Sequence, residues 1–257
     1  MATTVSDGGR DAEQYRAAQL GLTRLLVRDV RGLRRLIIPS RLRTSLPDWI
    51  AAVNAVVDQY ARTSAALGAE FYDGQRATAG APGVFTVPVA DPPPTDQTTA
   101  SLRWATKDVW ERDPDVATAA QLEPLDIRLE QAEKKAEQVA QKLVADTGRA
   151  TVLDAVRQDS QATSWARSAA LGACAFCKLL ASRGSVFAQD TVDFRAHDGC
   201  HCGVIPVFRG QTFEPSTHAR EWARLYQEYA AGHSGSQLAR FRRALAEHDS
   251  NPLPGSF

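Results

Sequence analysis

Residues 174–177 read CAFC and residues 197–202 read HDGCHC, and these two motifs contain every cysteine of the chain. Two cysteines separated by two residues supply two metal ligands from one tight bend, and structural zinc takes four thiolate or imidazole ligands in a tetrahedron. The second motif offers the remaining ligands. The spacing therefore predicts one closed structural zinc site per chain.

Five side chains compete for the four ligand positions, namely Cys174, Cys177, His197, Cys200 and Cys202. Cys174 and Cys177 are the firm ligands, because a C-x-x-C turn presents both thiols to one ion. Two of the other three complete the tetrahedron, and the pair His197 and Cys202 is slightly favoured. A site made of the four cysteines would instead leave His197 as a hydrogen-bonding neighbour of the ligands.

Other chemistries of clustered cysteines fit the sequence less well, although they stay open. The N-terminal residues lack the apolar core of a secretory signal, and cytosolic thiols stay reduced, which disfavours disulfides. A redox C-x-x-C belongs with βαβ units, which the pattern does not predict. A cysteine nucleophile with His197 or His218 as its base lacks a third orienting group. Catalytic zinc needs an open coordination position, whereas enough thiolates are present here to fill the sphere.

The composition predicts a soluble protein of the cytosol without a membrane span. The chain has 257 residues, 44% of them hydrophobic, and 30 basic side chains balance 30 acidic ones. Because the net charge is zero, the overall charge of the protein gives no reason to expect nucleic-acid binding. Locally, nine arginines lie within residues 10–43 and nine acids within residues 108–137. This asymmetry suggests that the two regions face different partners.

Hydrophobic periodicity predicts helices through much of the chain. Apolar residues recur at three- and four-residue steps from Asp11 to Ile37, where Pro39 ends the pattern. Ser45 and Asp48 have the spacing of a capping box, so a second helix is expected to start there and run to Phe71. Further helices are expected over 102–110 and 125–147, with Gly148 as a C-cap, and over 215–231 and 236–248.

These patterns predict a mainly α protein with a small β element around the metal. Glycine and proline interrupt any helix between Asp73 and Thr99, which indicates a long exposed arm or linker. Phe187, Val192 and Phe194 suit a short strand pair that returns the chain to Cys174 and Cys177. The predicted parts are N-terminal amphipathic helices (1–72), the arm (73–101), a helical region (102–147), the metal-binding module (148–210) and a helical tail (211–257).

Two stretches resemble a known family, the Mu F-like minor head proteins of tailed phages, especially of phages that infect actinobacteria. They are GRATVLDAVRQDSQATSWARSAALGACAFCKLLASRGSVF at 148–187 and HDGCHCGVIPVF at 197–208, and CAFCKLLASRG and HDGCHC are the most specific parts. The resemblance implies a virion protein of the head or neck that is present in host cytoplasm during assembly. It further implies a low-copy protein, with multiple copies per virion, that contacts the portal or the major capsid protein and, as a further expectation, packaged DNA. No catalytic role follows from the resemblance. No membrane contact is expected, because the sequence has no long apolar run.

Two competing functions remain. A zinc-dependent hydrolase or nuclease is one, because His218 and Glu221 would share a helix face. Three protein ligands and a bound water would favour it, whereas four protein ligands favour an assembly role. A nucleic-acid-binding zinc-ribbon protein is the other. Its binding to DNA should weaken steeply as the salt concentration rises.

Overall fold

A computed structural model describes residues 3–110, 115–188, 194, 196, 200 and 202–249. Helices predominate in these residues, so the predicted class, mainly α with a small β element, is confirmed. The helices are α1 (Arg10–Gly32), α2 (Leu42–Thr78), α3 (Thr95–Ala105), α4 (Leu125–Gln158), α5 (Ala175–Ala181), α6 (Thr217–Tyr229) and α7 (Gln237–His248). The strands are β1 (Thr3–Val5), β2 (Ala162–Ser168), β3 (Phe187–Ala188), β4 (Gly203–Phe208) and β5 (Gln211–Phe213).

The chain divides into two units, and each unit draws on separate parts of the sequence. One, which we call the helical unit, combines Leu20–Ala65 with Ala90–Gly148. The other, the sheet unit, combines Met1–Gln19, Ala66–Val89 and Arg149–Phe257. The five consecutive parts expected from composition stay a prediction, since these units describe spatial contact and not sequence order.

The core of the helical unit is formed by apolar faces of α1, α2, α3 and α4. Trp49, Leu102 and Leu129 belong to it and are almost completely buried. On α4, Ala132, Ala136 and other small residues recur at helical spacing in this core, which fits the periodicity of one buried helix face.

The basic and acidic stretches of the sequence partly pair with each other in the helical unit. Arg31 donates to Glu137 at 2.7 Å, and Arg34 forms an ion pair with Glu133. The expectation that the two stretches face different partners is therefore wrong for these residues. Their opposite charges bring them together within one unit.

The sheet unit is organised around β2, which lies between β3 and β4 in an antiparallel sheet. Trp165 of β2 pairs with Phe187 of β3 and with Pro206 of β4. Its ring stacks on Phe187 with centroids 4.3 Å apart, so β3 is anchored by packing as well as by its ladder. The parallel pair β1–β5 forms a second, smaller sheet with Val5 opposite Phe213.

Two predicted helix caps, Ser45 and Gly148, are wrong. Helix α2 starts at Leu42 and contains Pro47, so Ser45 is not its cap. The Ser45 hydroxyl instead donates to the carbonyl of Ile38 and accepts from its amide. Helix α4 continues through Gly148 to Gln158, since Val152 and Val156 in its last turns are fully buried and this packing outweighs the low helix propensity of glycine.

The predicted arm is shorter and better anchored than its composition suggests. Helix α2 extends to Thr78 and α3 begins at Thr95. In the sheet unit, the Arg76 guanidinium donates to the carbonyls of Ala81, Pro82 and Gly83. These bonds hold the start of the segment against the end of α2.

The helices of the C-terminal region agree with expectation, since α6 and α7 fall within the predicted ranges. Both begin at a serine whose hydroxyl accepts from the amide three residues later, Ser216 for α6 and Ser236 for α7. None of the described helices is long and apolar enough to cross a bilayer.

Candidate metal centre

The four cysteine sulfurs of the sheet unit lie together although the two motifs are far apart in sequence. Cys174 stands at the N-cap of α5 and Cys177 lies in the first turn of that helix, while Cys202 directly precedes β4. The Cys177 sulfur is 3.3 Å from that of Cys202 and 3.6 Å from that of Cys200. The sulfurs of Cys174 and Cys200 are 3.7 Å apart.

Burial around the cluster is uneven. Cys177 and Cys202 are buried, whereas Cys174 and Cys200 are half-buried. Trp222 of α6 and Phe241 of α7 belong to the same hydrophobic cluster as the cysteines. The C-terminal helices therefore help to enclose the thiols on one side.

Arg149 of α4 holds the backbone of the second motif. Its Nε donates to the carbonyl of Cys202 at 2.8 Å, and a terminal nitrogen donates to the carbonyl of Cys200. Because one guanidinium spans both carbonyls, it fixes the two cysteines relative to each other.

Arg167 of β2 contacts the sulfurs directly. Its Nη1 lies 3.4 Å from the sulfur of Cys202 and 3.8 Å from that of Cys177. The guanidinium also stacks over Phe194, 3.7 Å from the ring centroid. Arg167 is one of the largest fully buried side chains among the described residues, which places a positive charge inside the cluster.

This arrangement polarises the thiols. Hydrogen bonds donated by Cys177 and Cys200 hold the pKa of Cys202 well below its usual range, with Arg149 and Arg167 adding favourable charge. The pKa of Cys177 is raised, first by its hydrogen bonds to the other cysteines and then by burial. The cluster therefore favours ionisation of Cys202 over ionisation of Cys177.

The donor set fits a metal ion. Cys174, Cys177 and Cys200 place their sulfurs within 4.8 Å of one another, so these three could hold one ion. Thiolates bound to one tetrahedral zinc ion at about 2.3 Å lie about 3.8 Å apart, close to the spacings found here. The same spacings are far longer than a sulfur–sulfur bond of about 2.05 Å, and all four cysteines are free thiols.

The structure brings together the four predicted cysteines, and the predicted ligand His197 lies outside the described residues, as does Val192 of the expected strand pair. Sequence reasoning missed Arg149 and Arg167. Neither arginine stands out in the sequence, because each lies in a stretch of mixed polar and apolar residues whose burial depends on contacts far along the chain.

His218 and Glu221, considered for catalysis, lie on α6. His218 is exposed, with its ring centroid 6.3 Å from that of Trp222. Glu221 pairs with Arg224 at 2.7 Å, and the contact lowers the pKa of the Glu221 carboxyl. Both side chains thus have an ordinary surface environment.

The fold and the site define a mainly helical protein with a cysteine cluster in its sheet unit. The model of the VG15 protein family matches residues 8–229. The match spans most of the chain, which therefore belongs to the VG15 family, a family of phage gene products. No match was found among curated proteins or among solved structures.

Proposed function

We propose that this protein is a structural minor head protein of a tailed phage, of the Mu F-like type, and that it has no catalytic role. The VG15 family model matches residues 8–229, and membership of this family supports a phage origin of the protein. The minor head role is supported by the resemblance of residues 148–208, which contain the whole cysteine cluster.

The observation that carries the proposal is the convergence of the four cysteine thiols in the sheet unit. Four cysteines are enough to fill a tetrahedral sphere, which is the arrangement of structural zinc sites. Thiolate ligands select soft or borderline ions, and zinc brings no redox chemistry of its own. One structural zinc ion per chain fits these residues best.

Such an ion would contribute folding energy. Cys174 is the N-cap of α5 and Cys177 lies in its first turn, whereas Cys200 and Cys202 lead into β4. A metal ion bound by cysteines of both segments would connect α5 to the start of β4. This connection would add to the hydrogen bonds between β2 and β4. The free energy of metal binding would then stabilise the sheet unit.

The helical unit supplies a candidate surface for the portal or major capsid protein. Apolar and basic side chains are exposed along one part of its sequence: Arg24, Leu25, Arg35, Leu36, Ile38, Arg41 and Arg43. Arginine around exposed apolar residues is typical of protein interfaces, and the same arginines could contact the phosphates of packaged DNA. We place the protein in the head or neck, in several copies per virion.

The direct test is the protein content of purified particles. We expect the chain in mature virions, with cross-links from residues 24–43 to portal or capsid subunits. Its absence from both procapsids and virions would contradict the proposal.

The competing functions have their own measurements. Metal-loaded protein with three protein ligands and a bound water would favour the hydrolase or nuclease. DNA binding that weakens steeply as the salt concentration rises, in a protein absent from particles, would favour the zinc-ribbon alternative.

A further inference from the structure

We propose that the metal is held by the four cysteines without His197, and that Arg149 and Arg167 are positioning residues that determine this all-thiolate set. The inference rests on the metal centre of the proposed function. It goes beyond that function by assigning the ligands and by giving two buried cations a role.

The first argument is the fixed geometry of the second motif. Arg149 binds the carbonyls of Cys200 and Cys202, and its own side chain is 5% exposed. This contact holds both cysteines at the cluster at once. The sulfurs of Cys200 and Cys202 then lie 3.6 and 3.3 Å from the Cys177 sulfur. Cys202 stands outside the group of sulfurs that lie within 4.8 Å of one another, which is formed by Cys174, Cys177 and Cys200, so a small shift of Cys202 toward Cys174 would complete the four-sulfur set.

The second argument is charge. Four thiolates and one divalent ion carry two net negative charges, and the guanidinium groups of Arg149 and Arg167 carry two positive ones. Three thiolates with a neutral imidazole carry only one negative charge, which matches the two arginines less well. Since uncompensated charge is costly in a buried site, the arginine pair favours the all-thiolate set.

The third argument is the orientation of the Arg167 side chain toward the cysteine sulfurs. The Arg167 guanidinium is held by stacking over Phe194 and points Nη1 at the sulfurs of Cys202 and Cys177. An N–H donor of this kind stabilises a metal-bound thiolate, as other hydrogen-bonding neighbours of metal ligands do. Cys202 receives the closer of the two contacts, which marks it as a ligand.

The test replaces zinc with Co²⁺ in the reduced full-length protein, because the intensity of thiolate-to-cobalt charge transfer reports the number of thiolate ligands. We expect His197→Gln to leave the cobalt spectrum and the zinc affinity unchanged. Cys202→Ser should lower the charge-transfer intensity. Arg167→Met should weaken zinc binding by roughly 10- to 100-fold in competition with a chelator, and Arg167→Lys should restore part of that loss.

Arg209→Met is the matched control, because Arg209 is an exposed arginine directly after β4. It should bind zinc like the unmodified protein. A changed cobalt spectrum in His197→Gln would overturn the inference even if Arg167→Met fails to fold. Unmodified reduced protein that takes up neither Zn²⁺ nor Co²⁺ would instead refute the metal centre of the proposed function.

Discussion

Lys178 and Asp249 form an ion pair of 2.6 Å in which both side chains are almost completely buried. Lys178 lies on α5 between the cysteine turn and the end of that helix, and Asp249 follows α7. The indole Nε1 of Trp222 on α6 donates to the same carboxylate at 3.1 Å. One carboxylate thus links three helices around the cysteine cluster.

Asp249→Ala should destabilise the sheet unit by about 3–5 kcal/mol, because the Lys178 charge would stay buried without its carboxylate. Denaturant unfolding followed by tryptophan fluorescence measures this loss. Glu247→Ala, at an exposed position two residues earlier, should change the free energy of unfolding by less than about 0.5 kcal/mol. The double variant Lys178→Met/Asp249→Leu should recover much of the loss, since it removes both charges. Equal stability of Asp249→Ala and the unmodified protein would show that the pair contributes little.

Metal content gives the second prediction. Freshly isolated, reduced protein should contain about one zinc ion per chain by elemental analysis. Cys177→Ser should lower this content and increase hydrogen exchange in α5 and β4, whereas amides of the helical unit should keep their protection. Ser168→Ala, a small change at the neighbouring end of β2, is the control. Uniform loss of protection throughout the chain would contradict local stabilisation by the metal.

The sequence was sufficient for the helical class and for the clustering of the cysteines, because both depend on short-range patterns. Spacing in two short motifs predicted one site with five candidate ligands, Cys174, Cys177, His197, Cys200 and Cys202, and the four cysteine sulfurs do lie together. It could not reveal Arg149, whose contact with Cys202 spans 53 positions. Nor could it place the ends of α2 and α4, where tertiary burial overrides the local signals of Ser45 and Gly148.

Alkaline pH should weaken the sheet unit through Tyr72. This residue is fully buried, and burial together with the nearby Asp159 raises the pKa of its hydroxyl above the usual value near 10. Above about pH 10 the unfolded chain loses this proton while the folded chain keeps it, so stability falls as pH rises.

The fall in stability should be smaller in Tyr72→Phe. This variant should lose about 1 kcal/mol at neutral pH, because Tyr72 Oη donates to Asp159 at 3.2 Å. Chemical unfolding at several pH values between neutrality and pH 11 measures both effects. Tyr226→Phe is the control, since the Tyr226 hydroxyl makes an exposed hydrogen bond to the Gln237 side chain. The same pH slope in Tyr72→Phe and in the unmodified protein would contradict the role of Tyr72.

Arg76 should govern the segment that follows α2. Its Nε pairs with the buried carboxylate of Asp159 at 2.9 Å, and its terminal nitrogens bind three successive carbonyls of residues 81–83. Arg76→Ala removes four hydrogen bonds and leaves Asp159 with fewer partners, so unfolding should become easier by about 3 kcal/mol. Limited proteolysis should then cut within residues 79–94 at protease concentrations that spare the unmodified chain.

Arg62→Ala on the same helix is the control, because its exposed pair with Asp58 contributes little to stability. Unchanged proteolysis in Arg76→Ala would mean that packing of Phe85 and Val87 in the sheet-unit core holds the segment by itself.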